Sequence, residues 1–390
     1  MKPDIVIVGA GFAGAVSARI LAEGGKRVLI LEKRNHIAGN AYDTLDENRV
    51  RRHEYGPHIF HTSSAKAAEF LSRFTDWYDY QHRVLGYVEG KLVPIPFNFT
   101  SIETVFETER AERLKSLLLE AYGKDKKVPI LELRKHPDPE IRELAEYIFE
   151  HVFKYYTMKQ WGYTAEEIDP AVTARVPVLC GYDDRYFQDS FQKMPENGFT
   201  AMFEKMLDHP LIEVRLGIEA MDHLAVLPEE NRVLFDGEEF EGEVIYTGLV
   251  DHLLNYRYGD LSYRSLEFEV RTEEGRFQPV TTVNYPTPKE EHPFTRITEY
   301  KNIQKNPPLE KTTIAVEYPY VYQRGAEKGS VPYYPVFTDA SKKSYEAYVK
   351  VLAPMKNVHL LGRLAEYRYY NMDAITDAAI ALAEGMLENA

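Results

Sequence analysis

Four apolar residues, Ile5-Val6-Ile7-Val8, run directly into Gly9-Ala10-Gly11-Phe12-Ala13-Gly14 near the start of the chain. Few strings restrict a fold as tightly. The β-branched run reads as a buried strand. Gly9 permits a tight turn, Gly11 lets backbone approach a pyrophosphate, and Gly14 lets a helix pack closely on the strand. Residues 12–23 read as that helix, with Ala15, Ala18, Leu21 and Ala22 on its apolar side and Gly24-Gly25 as its stop. Residues 26–31 form a second buried strand ending at Glu32. Strand, glycine turn, helix, strand and terminal acid make a βαβ unit for a dinucleotide. The helix N-terminus offers N–H groups and a positive dipole end to phosphates, and Glu32 can accept from ribose hydroxyls. The turn by itself leaves NAD and FAD open. A second glycine turn, Gly39-Asn40, follows soon after Glu32. That is typical of FAD folds, although alone it also reads as an ordinary turn.

The remaining length is enough for insertions on this unit. At 390 residues, with 44% hydrophobic and 28% charged residues, the chain is globular and expected to hold two or three lobes. Residues 65–75, 103–122 and 138–160 read as helices, the last with Pro137 and Pro139 at its start. Residues 211–249 alternate like strands, and 262–337 hold short β-rich runs broken by proline. Residues 358–362 form a last strand, and a helix follows from about 373 to 388. The expected architecture is α/β. A discontinuous Rossmann-like lobe takes 1–64, 200–260 and 340–390. A mainly helical insertion takes 65–165, and a mixed or antiparallel sheet lobe takes 166–199 and 261–339, with a mobile loop near 166–178.

Charge and cysteine content bound the function. The net charge is −14, which leaves no basic footprint for nucleic acid or an anionic membrane. Any anionic ligand must be held by a local group of Arg. The single cysteine, Cys180, forms no internal disulfide and favours a reducing compartment. No run approaches the ~20 apolar residues that span a bilayer, so a cytoplasmic protein is expected. His58 and His61, with His53 near, lack the further acid or cysteine that would complete a metal set.

Further blocks carry a resemblance. Glu32-Lys33-Arg34 with Gly39-Asn40, Tyr55-Gly56-Pro57-His58-Ile59-Phe60-His61-Thr62, Pro94-Ile95-Pro96-Phe97-Asn98 and Tyr156-Thr157-Met158-Lys159-Gln160-Trp161 stand in order. Arg175-Val176-Pro177, Phe294-Thr295-Arg296-Ile297-Thr298-Glu299, Tyr333-Tyr334-Pro335 and Gly362-Arg363-Leu364, with Tyr369, Met372 and Asp373, follow. Together these blocks, spanning nearly the whole chain, resemble the UDP-galactopyranose mutases. That family interconverts UDP-galactopyranose and UDP-galactofuranose with reduced FAD and no net redox change. The resemblance implies a covalent adduct of the sugar's anomeric carbon with N5 of reduced FAD, and NAD(P)H as an external reductant. It also implies a homodimer and a pathway that supplies galactofuranose for cell-surface polysaccharide.

The resemblance assigns roles residue by residue. Arg175 and Arg296 clamp the diphosphate, where planar bidentate donors suit a leaving pyrophosphate whose charge grows as it departs. His61 lies beside the isoalloxazine. Trp161 meets the sugar and Tyr186 the uracil; Tyr156, Tyr334 and Tyr369 stand near the diphosphate and sugar. Core packing is the alternative use for any of the 28 Tyr. Arg264 is a candidate for the substrate channel. His82 stands where many relatives carry Asn, and Asn371 where many carry Asp, which leaves the bound sugar hydroxyl open. FAD is expected to lie on Gly9, Gly11, Ala13, Gly14, Glu32, Lys33, Arg34, Gly39, Asn40, His58, Ile59, Gly217, Arg363, Met372, Asp373 and Thr376. Asn371 or Asp373 caps the terminal helix, whose positive end stabilises anionic reduced flavin.

Three other readings compete. Tyr155 and Lys159 match the Tyr/Lys pair of NAD-dependent short-chain dehydrogenases and epimerases, though the opening turn is not of their type. An FAD-dependent oxidase or desaturase shares the expected fold. A binder without flavin chemistry, like the prenyl-protein dissociation inhibitors, uses the same scaffold, but Glu32 and the second glycine turn speak against it.

Overall fold

A computed structural model of the chain describes residues 3–162, 164, 177–308 and 310–389. Its organising element is a five-stranded sheet in the order Ile212–Leu216, Val28–Glu32, Ile5–Val8, Glu243–Tyr246, Val358–Leu360, with every neighbouring pair parallel. Alternate residues of its inner strands enter different cores. Ile5, Ile7, Val28 and Ile30 join one apolar cluster and Val6, Leu29 and Leu31 the other. Burial on both faces is why these strands are continuously apolar. The first cluster sits under the helices Phe12–Glu23 and Met372–Glu388, which pack on each other. Gly24 makes room for that packing, since a Cβ there would lie 2.5 Å from the Leu387 side chain.

A second, seven-stranded sheet is mixed. Its order is Tyr334–Pro335, Tyr263–Glu274, Lys311–Val321, Arg296–Glu299, Thr282–Asn284, Val84–Val88, Lys91–Ile95. All its pairs are antiparallel except Thr282–Asn284 with Val84–Val88. The expected α/β class, with a Rossmann-like lobe, helices and a mixed sheet, is what the chain adopts. Segment 65–165 supplies the helices Phe99–Val105, Thr108–Tyr122, Ile130–Leu133 and Pro139–Ile148 around their own apolar cluster, and also two strands of the large sheet.

Two helices differ from their sequence reading. The periodic stretch 103–122 is broken at Phe106, which is extended, so Phe99–Val105 and Thr108–Tyr122 are separate helices. The first is capped by Asn98 and Ser101 in a reciprocal box. The stretch 138–160 begins as read, with Asp138 as cap and Pro139 in the first turn. It then widens into a π-helical segment, Phe149–Lys154, before resuming as the α-helix Tyr155–Trp161. Such segments recur at functional sites because they re-aim the residues that follow.

Candidate active site

The opening turn uses its glycines as backbone, not as spacers. Gly9 sits at φ +101°, and a Cβ on Gly14 would fall 1.9 Å from the Gly9 carbonyl oxygen. A Cβ on Gly39 would come within 3.0 Å of Gly11 Cα, so the two glycine turns meet face to face. They form a bare-backbone cradle at the start of helix Phe12–Glu23, where Gly11 provides no side-chain cap. Unbonded N–H groups at such an end suit a pyrophosphate. Glu32 is buried beside the cradle, accepting from the N–H of Ala10 and of Arg34, each at 2.8 Å. Its remaining lone pairs are available to ribose hydroxyls. Arg34 donates to Asn40 and lies 4.0 Å over the Tyr55 ring. Ala13 is buried in the helix's first turn, and the N–H of Gly217 donates to the Arg34 carbonyl. Lys33 points outward to Glu219 at 2.8 Å. These residues fit an adenine dinucleotide.

Asn40 also borders a cavity of about 730 Å³ that runs from this cradle to the large sheet. Arg296 enters the cavity from the strand Arg296–Glu299. Directly across the ladder stands Glu317, 1% exposed, which accepts from Arg296 Nε at 2.9 Å. Burial opposes the Arg296 charge, but the adjacent Glu317 carboxylate holds the guanidinium firmly cationic. With Nε engaged, the two terminal nitrogens are left to face a ligand in fork geometry. Tyr156, Tyr186 and Tyr334 line the same wall. Burial raises all three phenols, against a smaller opposite pull from Arg296 on Tyr156 and Tyr186 and chiefly from Arg363 on Tyr334, so each remains a neutral donor. Tyr369 stacks on Tyr334 at 6.0 Å, and Arg363 lies 4.7 Å over the Tyr334 ring. Arg363 is fixed there by donating to the carbonyls of Tyr333 and Tyr370.

Three histidines line the cavity as well. Burial pushes His58 and His82 down to about 3, with His53 and Arg296 respectively as the next contributions, so both are neutral. His58 is turned by the Gly56 carbonyl, and His82 meets the Tyr80 hydroxyl. His61 differs: its Nδ1 lies 2.8 Å from the Asp189 carboxylate. On the far side, Asn371 and Met372 border the cavity where the helix Met372–Glu388 begins. Asn371 occupies the cap position without a side-chain cap bond, and Asp373 instead accepts from Thr62 and from the Ala374 N–H. Thr376 is buried and donates to the Met372 carbonyl.

Several sequence-based candidates are thus brought together: His61, His82, Tyr156, Trp161, Tyr186, Arg296, Tyr334, Tyr369 and Asn371, with His58, Ile59, Arg363 and Met372. Arg175 lies outside the described residues, as does most of the segment 166–178. Arg264 stands behind the wall instead of lining it. It donates to the carbonyls of Gln160 and Lys159 and so closes the end of the helix that carries Trp161. Lys159, the lysine of the dehydrogenase-like pair, is buried and donates to the carbonyls of Tyr285, His292 and Phe294. It staples the Trp161 helix to the turn that leads into Arg296. All three of its protons are engaged, so it is not a free catalytic lysine.

The sequence reading missed Glu317, Asp189 and Asn284. Asn284 neighbours Arg296 across the ladder. Its Oδ1, with Thr282 Oγ1 and Gln160 Oε1, is buried without a hydrogen-bond partner among the described residues, and all three residues border the cavity. Open acceptors of this kind suit ligand hydroxyls or N–H groups. No sequence signal marks them, because each acquires its meaning from a cross-strand or loop neighbour. Among the described residues no group of three or more His, Cys, Asp or Glu could hold a metal ion, and no helix is long and apolar enough to cross a membrane.

Comparison with known proteins gives a consistent picture. A family profile for UDP-galactopyranose mutase matches residues 151–369, and one for an NAD(P)-binding Rossmann-like domain matches residues 7–74. A UDP-galactopyranose mutase of Mycoplasma pneumoniae is 35% identical over 99% of this chain and 97% of its own length. A dTDP-fucopyranose mutase of Escherichia coli is 33% identical over 99% of this chain and 98% of its own. In shape, the crystal structure of a reduced UDP-galactopyranose mutase superposes with a TM-score of 0.71 at 18% identity, covering 100% of this chain and 96% of that one.

Proposed function

From the premise that this chain belongs to the UDP-galactopyranose mutase family, we propose that it interconverts UDP-galactopyranose and UDP-galactofuranose with reduced FAD. The observation that carries the reading is Arg296. It is a half-buried, permanently charged fork, held by the buried Glu317 and ringed by neutral phenols, in a chain of net charge −14. That is a pocket for one strongly anionic group such as a diphosphate.

The Gly11/Gly39 cradle would hold the FAD pyrophosphate, and Glu32 would accept from the adenosine ribose. Bound and reduced, FAD supplies N5 as the nucleophile toward the anomeric carbon. The chain's own residues do the rest. Arg296, with Arg175 as its proposed partner, binds the diphosphate, and these contacts strengthen as the leaving group gains charge. Tyr156, Tyr186, Tyr334 and Tyr369 donate to phosphate or sugar without adding charge. Ring faces of Tyr186 and Trp161 suit uracil and sugar. The start of helix Met372–Glu388 directs its positive dipole end at the cavity, where it would stabilise negative charge on a bound reduced flavin. Similarity over nearly the whole chain supports the finer readings: a cytoplasmic homodimer, NAD(P)H as reductant, and galactofuranose for surface glycans as the product's use.

The test is an anaerobic assay. The purified protein should be yellow and, after dithionite reduction, convert UDP-galactofuranose to the pyranose without consuming reductant in step. In a parallel aerobic assay, steady use of oxygen or another electron acceptor in step with substrate would favour an oxidase instead. Turnover of dTDP-fucofuranose and not of UDP-galactofuranose would move the substrate to that of the Escherichia coli relative.

A further inference from the structure

The ring of His61 is held from three directions. Its backbone is in the strand Phe60–Thr62, and Phe187 stacks on it with centroids 3.5 Å apart and planes 13° from parallel. On the Nδ1 side, Asp189 Oδ2 lies 2.8 Å away, while Asp189 Oδ1 accepts from the Ser63 hydroxyl at 2.9 Å. Burial alone would raise the Asp189 carboxyl, but the hydrogen bonds from His61 and Ser63 outweigh it and hold it below the usual range. An ionised carboxylate only accepts, so Nδ1 must carry a proton. Nε2, across the ring, makes no hydrogen bond to another described residue. Of the three cavity-lining histidines, His61 has a carboxylate partner, whereas the rings of His58 and His82 hydrogen-bond, among the described residues, to a carbonyl and a hydroxyl.

We propose that Asp189 is a positioning residue for the reaction, holding His61 with its proton on Nδ1 so that Nε2 faces the cavity as a proton acceptor. The use of such an acceptor follows from the chemistry of the sugar, and this step rests on the mutase reading. The ring oxygen of the pyranose is a hydroxyl in the furanose, and the reverse holds for the other oxygen. One proton must therefore leave one oxygen and reach the other, with no net change. Nε2 takes that proton and returns it, and the Asp189 carboxylate stabilises the imidazolium in between. Neither Asp189 nor Ser63 borders the cavity itself, so Asp189 acts through His61.

The experiment has a spectroscopic and a kinetic arm. In ¹⁵N-histidine-labelled holoenzyme, with the His61 signals assigned by their loss in His61→Ala, wild type should show a protonated Nδ1 and a lone-pair Nε2. In Asp189→Ala the proton should move to Nε2. A wild-type proton on Nε2, or an unchanged tautomer in the variant, overturns the proposal. Kinetically, Asp189→Ala should lower kcat at least tenfold with KM for UDP-galactofuranose within twofold, and should add nothing in a His61→Ala background. Additive losses overturn it. Asp189→Asn, which keeps volume and the Ser63 contact, replaces the alanine variant in both arms if that fails to fold. A wild type without mutase activity would sink the mutase reading, while the tautomer arm would still decide the role of Asp189.

Discussion

The two halves of the candidate site are built from different materials. The dinucleotide cradle is backbone: glycines brought within contact, a bare helix end, and one carboxylate engaged by two N–H groups. The cavity wall is side chains gathered from the helix Tyr155–Trp161, the strand Arg296–Glu299, the segment around Tyr334 and the start of the last helix. Backbone recognition tolerates no added atom but asks little of side-chain identity. Side-chain recognition asks for particular groups, each fixed by a partner from another segment. The two halves should therefore fail separately.

Gly14→Ala tests the backbone half and should have the largest effect. Its Cβ would overlap the Gly9 carbonyl, so the purified protein should be colourless. If it retains one FAD per chain, the cradle does not depend on close approach. Arg296→Lys tests the other half. It keeps the charge beside Glu317, and so avoids an orphaned buried carboxylate, but loses the fork. FAD content and Tm should stay near wild type while kcat/KM falls by about 2–4 kcal/mol of transition-state stabilisation. Loss of flavin in this variant would join the halves that the structure separates.

His82 supplies a third test, on stability. Its folded value of about 3 lies below the ordinary 6.5 because burial penalises the cation. The unfolded chain thus binds a proton that the fold refuses. The contribution is fully present above pH 6.5 and is lost as pH falls from there toward 3, the loss by pH 5 being about 2 kcal/mol. Urea unfolding of His82→Asn should fall less between pH 7 and 5 than that of wild type. Equal slopes would mean that His82 is charged in the fold. The smallest effect belongs to Tyr334→Phe, which removes one proposed donor to the phosphates. It should cost about 1 kcal/mol in kcat/KM and leave FAD in place; a change in flavin content would assign Tyr334 to the other half.

Legibility in the sequence divides along the same line. Gly9, Gly11, Gly14, Glu32 and the strand and helix between them were readable because neighbours along the chain are neighbours in space there. The blocks around Tyr156, Trp161, Arg296 and Tyr334 were readable only through resemblance, since nothing in a single Tyr or Arg distinguishes a ligand contact from packing. Glu317 and Asp189 were not readable at all. Glu317 matters because strand register sets it opposite Arg296, and Asp189 because a loop returns it to His61. The π-helical segment Phe149–Lys154 was likewise invisible, because its residues have ordinary helical periodicity.

Sequence by itself determined the βαβ start, the apolar strands of the parallel sheet and the helix that closes the chain, because local periodicity and glycine chemistry decide these. Only the tertiary structure decided which oxygens are left open, which arginine is held as a fork and which becomes a helix clamp, and which of the cavity's histidines faces a carboxylate. Those properties belong to pairs of residues far apart in the chain, and a pair has no chemistry until folding brings it within hydrogen-bond reach.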